Sequence, residues 1–157
     1  MRYLAANSTA RNTMSPENIG FRMLKLTNLM SQPFFSDFAK QNFLTLNEWR
    51  SMVVISSWPN TAAEDISAAT GIHPMNISRA IKGLRKRKFV DQVHDPENHR
   101  RKLLTLSPLG ESKFSEIAPH SERQSQKLLS ALSDGEIESF SIILDKLVRQ
   151  AESMVNI

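Results

Sequence analysis

Apolar residues recur at intervals of three or four in several stretches of this chain, and two short strand-like runs lie between them. Ile19, Met23, Leu26, Met30 and Phe34 have the spacing of one face of a helix. Ile77, Ile81 and Leu84 repeat that spacing, and so do Ile137, Phe140, Ile143, Leu144, Leu147 and Val148 near the C-terminus. The runs FVDQV (89–93) and KLLTL (102–106) read instead as strands joined by a polar turn, HDPENHRRK.

Punctuation divides the periodic stretches into six helices. Thr45…Glu48, Thr61…Glu64 and Ser133…Glu136 have capping-box spacing, in which a hydroxyl and a carboxylate satisfy each other's backbone N–H groups. Ser15-Pro16, Ser107-Pro108 and, more weakly, His73-Pro74 place a cap before a proline at the first helical position. The first helix is predicted from 16 towards 40, interrupted at Pro33, and the second from 46 to before Pro59. The third runs from 62 to Gly71, a left-handed C-terminal stop, and the fourth from 74 to about 88. The fifth starts at 108 and the sixth at 134. The apolar stripe of the sixth has no evident partner in so small a core.

The order helix, short turn, helix, hairpin is that of a winged helix-turn-helix. The fourth helix has two chemistries. Ile77, Ile81 and Leu84 face inward, towards Ile66 and Trp49, while Met75, Arg79, Lys82 and Lys86 lie opposite with Asn76 and Ser78 beside them. Arginine pairs with guanine and asparagine with adenine in a major groove, and the N-terminal turns of such a helix meet base edges. Met75, Asn76, Ser78 and Arg79 are therefore candidate base readers. Lys82, Lys86 and Arg87 are candidate phosphate contacts, as is Thr61 at the start of the third helix.

Charge sharpens this picture. The 157-residue chain carries +4, but 79–102 holds nine basic and three acidic residues, leaving the remainder slightly acidic. A basic patch of this kind suits a polyanion, although charge runs also occur as plain solvated faces. At 40% hydrophobic and 23% charged residues, with no cysteine, the chain is expected to be globular and incapable of thiol redox or cysteine–zinc chemistry. No apolar run suits a signal peptide or a membrane span, so a cytoplasmic location is expected, with no membrane partner.

"LTLNEWRSMVVI", "DISAATGIHPMNISRAIKGLRKRKFV", "DPENHRRKLLTLSPLG" and "LSDGEIESFSIILDKL" together resemble the MarR family of bacterial transcriptional regulators, from about 19 to 150. The resemblance implies a mainly α fold with a small β-hairpin wing, flanked by N- and C-terminal dimerisation helices. Residues 1–15 would be a flexible terminus, 16–44 and 108–157 the dimerisation region, and 45–107 the DNA-binding region. It further implies a homodimer on an inverted-repeat, double-stranded DNA operator. Recognition helices would lie in successive major grooves and wing tips in the flanking minor grooves, where an inserted arginine is favoured. Asn98, His99, Arg100 and Arg101 form the candidate wing contacts. Arg100 matches the arginine usual at the tip, whereas Asn98 and His99 replace an acidic brace and a second arginine. Lys88 stands where the family usually has glycine, so that corner is expected to differ.

Many relatives release DNA when a small, often aromatic, anion or a thioester binds between the dimerisation helices and the winged domain. Met23, Phe38, Trp49, Arg50, Met52 and His73 are the candidate lining residues here, although tryptophan and methionine at helical spacing are ordinarily core and Arg50 suits a surface ion pair. The four histidines have no metal-ligand spacing on a helix, so no metal and no cofactor is expected. No GxSxG, HExxH or Walker-type loop occurs, and no enzyme is expected. The reading is a ligand-released repressor. A constitutive architectural DNA-binding protein and a winged-helix protein-interaction module remain the alternatives.

Overall fold

The computed structural model describes residues 15–33 and 44–155. All but the last residue of the expected flexible terminus (1–15), together with Phe34 and Phe38, lies outside them. By contacts the chain forms two units, 1–49 and 50–157, with the division inside the second helix rather than at its start.

In the first unit, α1 is Ile19–Pro33. It begins three residues later than predicted because Ser15-Pro16 is spent on a turn. Ser15 Oγ accepts from Glu17 N–H, and the Ser15 carbonyl accepts from Asn18 N–H at 3.0 Å. Asn18 is the cap in its place, its Oδ1 accepting from Gly20 N–H at 2.7 Å. Ile19, Phe21, Leu24 and Met30 are all more than half exposed on this helix. The Thr45…Glu48 box forms as read: Glu48 Oε2 accepts from Thr45 N–H at 2.7 Å, and Thr45 Oγ1 from Glu48 N–H at 3.3 Å. It opens α2 (Leu46–Ser57).

The second unit continues with α3 (Ala63–Thr70), α4 (Pro74–Lys86), β1 (Val90–His94), β2 (Lys102–Leu106), α5 (Pro108–Leu129) and α6 (Asp134–Val155). The strands pair antiparallel from Val90 opposite Leu106 to His94 opposite Lys102. A one-residue third strand joins them. Leu104 N–H donates to the Thr61 carbonyl at 2.8 Å, and Asn60 N–H donates to the Leu104 carbonyl at 3.0 Å. Ile55, Ile66, Ile77, Leu84, Leu104 and Ile117 are buried almost completely in this unit.

That third strand moves the start of α3. Thr61 is held extended and buried, so Ala62 becomes the cap and Asp65, not Glu64, occupies the third helical position. Alanine has no acceptor to offer, and only half of a capping box survives, with Asp65 Oδ2 accepting from Ala62 N–H at 2.8 Å. Gly71 ends α3 at φ +66°, as its position predicts. At α6 the Glu136 carboxylate reaches back to Ser133 N–H at 2.8 Å, while Ser133 Oγ donates to that carboxylate instead of capping the helix.

The Lys88 corner is built as glycine would build it. Lys88 sits at φ +61°, with its N–H on the Arg85 carbonyl at 2.9 Å and Phe89 N–H on the Leu84 carbonyl at 3.0 Å. Ser107 fastens this corner to α5. Its Oγ donates to the Lys88 carbonyl at 2.6 Å and accepts from Gly110 N–H at 3.0 Å. Gly110 must lack a side chain, since a Cβ there would stand 1.9 Å from the Phe89 carbonyl oxygen.

A left-handed backbone costs a lysine about 1–2 kcal/mol and a glycine almost nothing, part of which returns as glycine's greater unfolded freedom. Lys88→Gly should therefore raise unfolding stability by about 0.5–1 kcal/mol, read as a higher urea midpoint at unchanged slope.

Candidate nucleic-acid interface

The two faces of α4 separate as the sequence predicts. Ile77, Ala80, Ile81 and Leu84 are buried, while Met75, Asn76, Ser78, Arg79, Lys82, Arg85 and Lys86 are exposed. The helix projects its first turn because His73 caps it, with Nδ1 accepting from Met75 N–H at 3.2 Å. That contact requires the imidazole nitrogen to be unprotonated. Arg87, just past the helix, lies over the Phe89 ring at 5.9 Å and is only half exposed, a stacking position rather than an open phosphate contact.

The wing tip is folded by its own polar side chains. Asp95 Oδ1 accepts from Glu97 N–H at 2.9 Å, and Asn98 Oδ1 accepts from Arg100 N–H at 3.2 Å. Asn98 thus braces Arg100 through the backbone, as the local turn chemistry of Asn and Asp allows. Arg101 closes the loop, its N–H on the Asn98 carbonyl at 2.8 Å and its carbonyl accepting from Asp95 N–H at 3.0 Å. His94 Nδ1 lies 3.0 Å from the His99 carbonyl oxygen.

The basic run resolves into two directions. His99 and Arg100 are exposed at the tip, and the Arg100 guanidinium has no partner among the described residues. Arg101 turns inward, its Nη2 2.5 Å from Asp65 Oδ2 and its Nη1 4.0 Å from Asp95 Oδ2. The sequence pattern alone places Arg101 with the tip, because four basic side chains in succession do not reveal which one meets an acid 36 residues earlier.

Thr61 is a correction. Its backbone is in the sheet, its residue is only 5% exposed and its hydroxyl is directed at Asp65 Oδ2, 3.4 Å away. It is not presented to a phosphate. Of the candidate ligand-pocket residues, Trp49 and Met52 are buried core, Arg50 is half-buried, Met23 is exposed, and His73 is the α4 cap. Phe38 lies outside the described residues. A shallow groove of about 620 Å³ in the second unit runs elsewhere, beside Arg85, Lys88, Gln92 and Ser107. Among the described residues no group of three or more His, Asp or Glu could hold a metal, and no helix is long and apolar enough to cross a membrane.

Residues 44–102 match the MarR family. The matched segment is similar to a MarR-family domain. The match covers the helix-turn-helix and most of the wing, a shorter span than the resemblance read from the motifs. Solved structures extend the likeness in fold beyond the matched residues. A MarR-family regulator from Silicibacter pomeroyi is 15% identical with TM-score 0.78, covering 89% of this chain and 96% of that one. The S. aureus MepR–DNA complex is 18% identical with TM-score 0.74, covering 85% and 98%. PcaV from Streptomyces coelicolor, solved with its natural ligand, is 21% identical with TM-score 0.71, covering 95% and 100%. No curated protein matches the chain.

The Ala62 N–H, the Arg101 guanidinium and the Thr61 hydroxyl together hold the Asp65 carboxyl below its ordinary 3.8, against the opposing effect of burial. A carboxyl lowered by folding stabilises the fold above its unfolded pKa, and that stabilisation is lost as pH falls through the folded value. Urea midpoints measured below pH 4 should therefore fall more steeply with acid in the native protein than in Asp65→Asn.

Proposed function

We propose that the protein is a cytoplasmic, homodimeric transcriptional repressor that binds an inverted-repeat operator and is released by a small organic ligand, an aromatic acid or a thioester. The observation that carries the DNA reading is the exposed face of α4, with Arg79 and Asn76 in its first two turns, in one compact unit with a wing tip whose Arg100 guanidinium has no partner among the described residues. Asn76, Ser78 and Arg79 read base edges in the major groove, with Met75 offering an apolar contact to a thymine methyl. Lys82 and Lys86 hold phosphates, and Arg100 with His99 enters the flanking minor groove. MepR, solved on DNA with the same fold, supports this assignment of surfaces.

Exposed apolar faces support the dimer. No residue of α6 is buried in the single chain, and Ile142 and Ile143 are each 52% exposed. An apolar helix face left uncovered along its length is unusual for a monomer in water, and α1 by itself carries another. A second copy would cover it, and two-fold symmetry would set two recognition helices about one DNA turn apart. The ligand reading draws on PcaV, which was solved with its natural ligand.

Gel shifts with the gene's own upstream region and with a scrambled duplex, at one fixed salt concentration, test the function. Specific retention of the upstream region, lost on adding the effector, supports the repressor. Equal retention of both points to an architectural protein, and retention of neither at low salt points to a protein-interaction module. Arg79→Ala should cost about 1–3 kcal/mol on the operator and relax its sequence preference, whereas Lys82→Ala should weaken both duplexes alike and lower the salt slope by about one. Sedimentation at micromolar concentration should give a dimer, and Ile143→Glu should shift it towards monomer; a stable native monomer would contradict the role given to α6.

A further inference from the structure

Arg101 is placed unlike its neighbours in the basic run. Its backbone closes the wing turn on Asn98 and Asp95, and its side chain leaves the tip for Asp65. Asp65 is itself held by Ala62 N–H at 2.8 Å and by the Thr61 hydroxyl at 3.4 Å, so its carboxylate is a fixed point on the start of α3. We propose that Arg101 is a positioning residue, not a DNA contact. Through Asp65 it locks the wing to the start of α3 and so sets where Arg100 meets the minor groove. This rests on the DNA-binding reading above.

Three considerations support the lock. A guanidinium with a carboxylate at 2.5 Å and a second at 4.0 Å would have to give up both to neutralise a phosphate. Arg100, one residue earlier, has no such competitor. The pair is also too exposed, at 40% and 42% for the two side chains, to serve mainly as a source of stability, since such pairs contribute about 0–1 kcal/mol. Geometry gives it a larger effect. The strand carries the chain two residues, roughly 7 Å, beyond the Leu104 anchor before the turn that presents Arg100. A swing of about 10° there displaces the tip by about 1 Å or more, enough to break a hydrogen bond. Without Asp65, no hydrogen bond or ion pair among the described residues fastens the hairpin beyond its base.

Electrostatics and positioning predict opposite signs for one substitution. Asp65→Asn removes a negative charge near the phosphates, which by charge alone strengthens binding to any duplex. Loss of the lock weakens operator binding instead. Asparagine still offers an acceptor to Ala62 N–H, so α3 keeps its cap. With the native protein first shown to prefer the upstream duplex, Asp65→Asn and Arg101→Gln should each lower operator affinity by roughly three- to tenfold. The double variant should be no weaker than Arg101→Gln alone, because both remove one interaction. Scrambled-duplex affinity should not fall in Asp65→Asn, and minor-groove protection of the operator flanks should fade while the core footprint persists. Asp65→Glu, which keeps the carboxylate, should bind within about twofold of native. Melting temperatures of the native protein and the four variants check that the losses do not follow unfolding. Tighter operator binding by Asp65→Asn, or a salt slope lowered by about one in Arg101→Gln on both duplexes, overturns the lock and leaves the DNA-binding reading intact. A native protein that retains no DNA overturns both.

Discussion

Leu104 N–H donates to the Thr61 carbonyl and the Leu104 carbonyl accepts from Asn60, so the strand returning from the wing is anchored to the chain entering α3. Much of the surrounding geometry depends on this pair of bonds. They hold Thr61 extended and bury it, which delays α3 by one residue and makes Asp65 its third position. Asp65 then caps Ala62 and points its other partners' way, towards Thr61 and Arg101. One short stretch of sheet thereby relates the helix-turn-helix to the hairpin beside it. Buried backbone groups must be paired, and here the pairing partner happens to lie between two functional surfaces.

A second junction, at Lys88 and Phe89, joins α4, β1 and α5. Ser107 bonds to the Lys88 carbonyl and to Gly110 N–H, and its own N–H donates to the Phe89 carbonyl at 3.0 Å. The fit is tight enough that Gly110 tolerates no Cβ, and directional enough that Lys88 accepts a left-handed backbone for it. Strain at this corner is accepted because the surrounding bonds overdetermine it. The departure from glycine changes the cost of the corner and not its shape.

The charges follow the same logic of what is already occupied. Nine basic residues crowd 79–102, yet the structure sorts them by partner. Arg101 is taken by two acids and Arg87 lies on Phe89, while Arg79, Lys82, Lys86 and Arg100 point outward. On the flanking helices the sorting is hydrophobic. Alpha-helical stripes at Ile143, Leu147 and their neighbours are left uncovered by the described residues, and their exposure is the structural counterpart of the symmetric partner proposed for them.

Periodicity, caps and turn residues were enough to place six helices, two strands and the outer face of α4, because each is a local property of the backbone or of one amphipathic segment. The family resemblance came from the same local stretches, and the wing's Asn98 and Asp95 turns were legible as turns. Three features were not legible: the shifted start of α3, the burial of Thr61 and the inward direction of Arg101. Each depends on a contact between residues far apart in the chain, Thr61 with Leu104 and Asp65 with Arg101. A capping box at Thr61 and one a residue later are nearly equal choices locally, and a run of basic residues is symmetric until an acid breaks the symmetry. The sequence by itself determined which segments are helix, strand and turn and which faces are basic or apolar. Only the tertiary structure decided which of those basic residues are free, because that is settled by which acids the fold brings within reach.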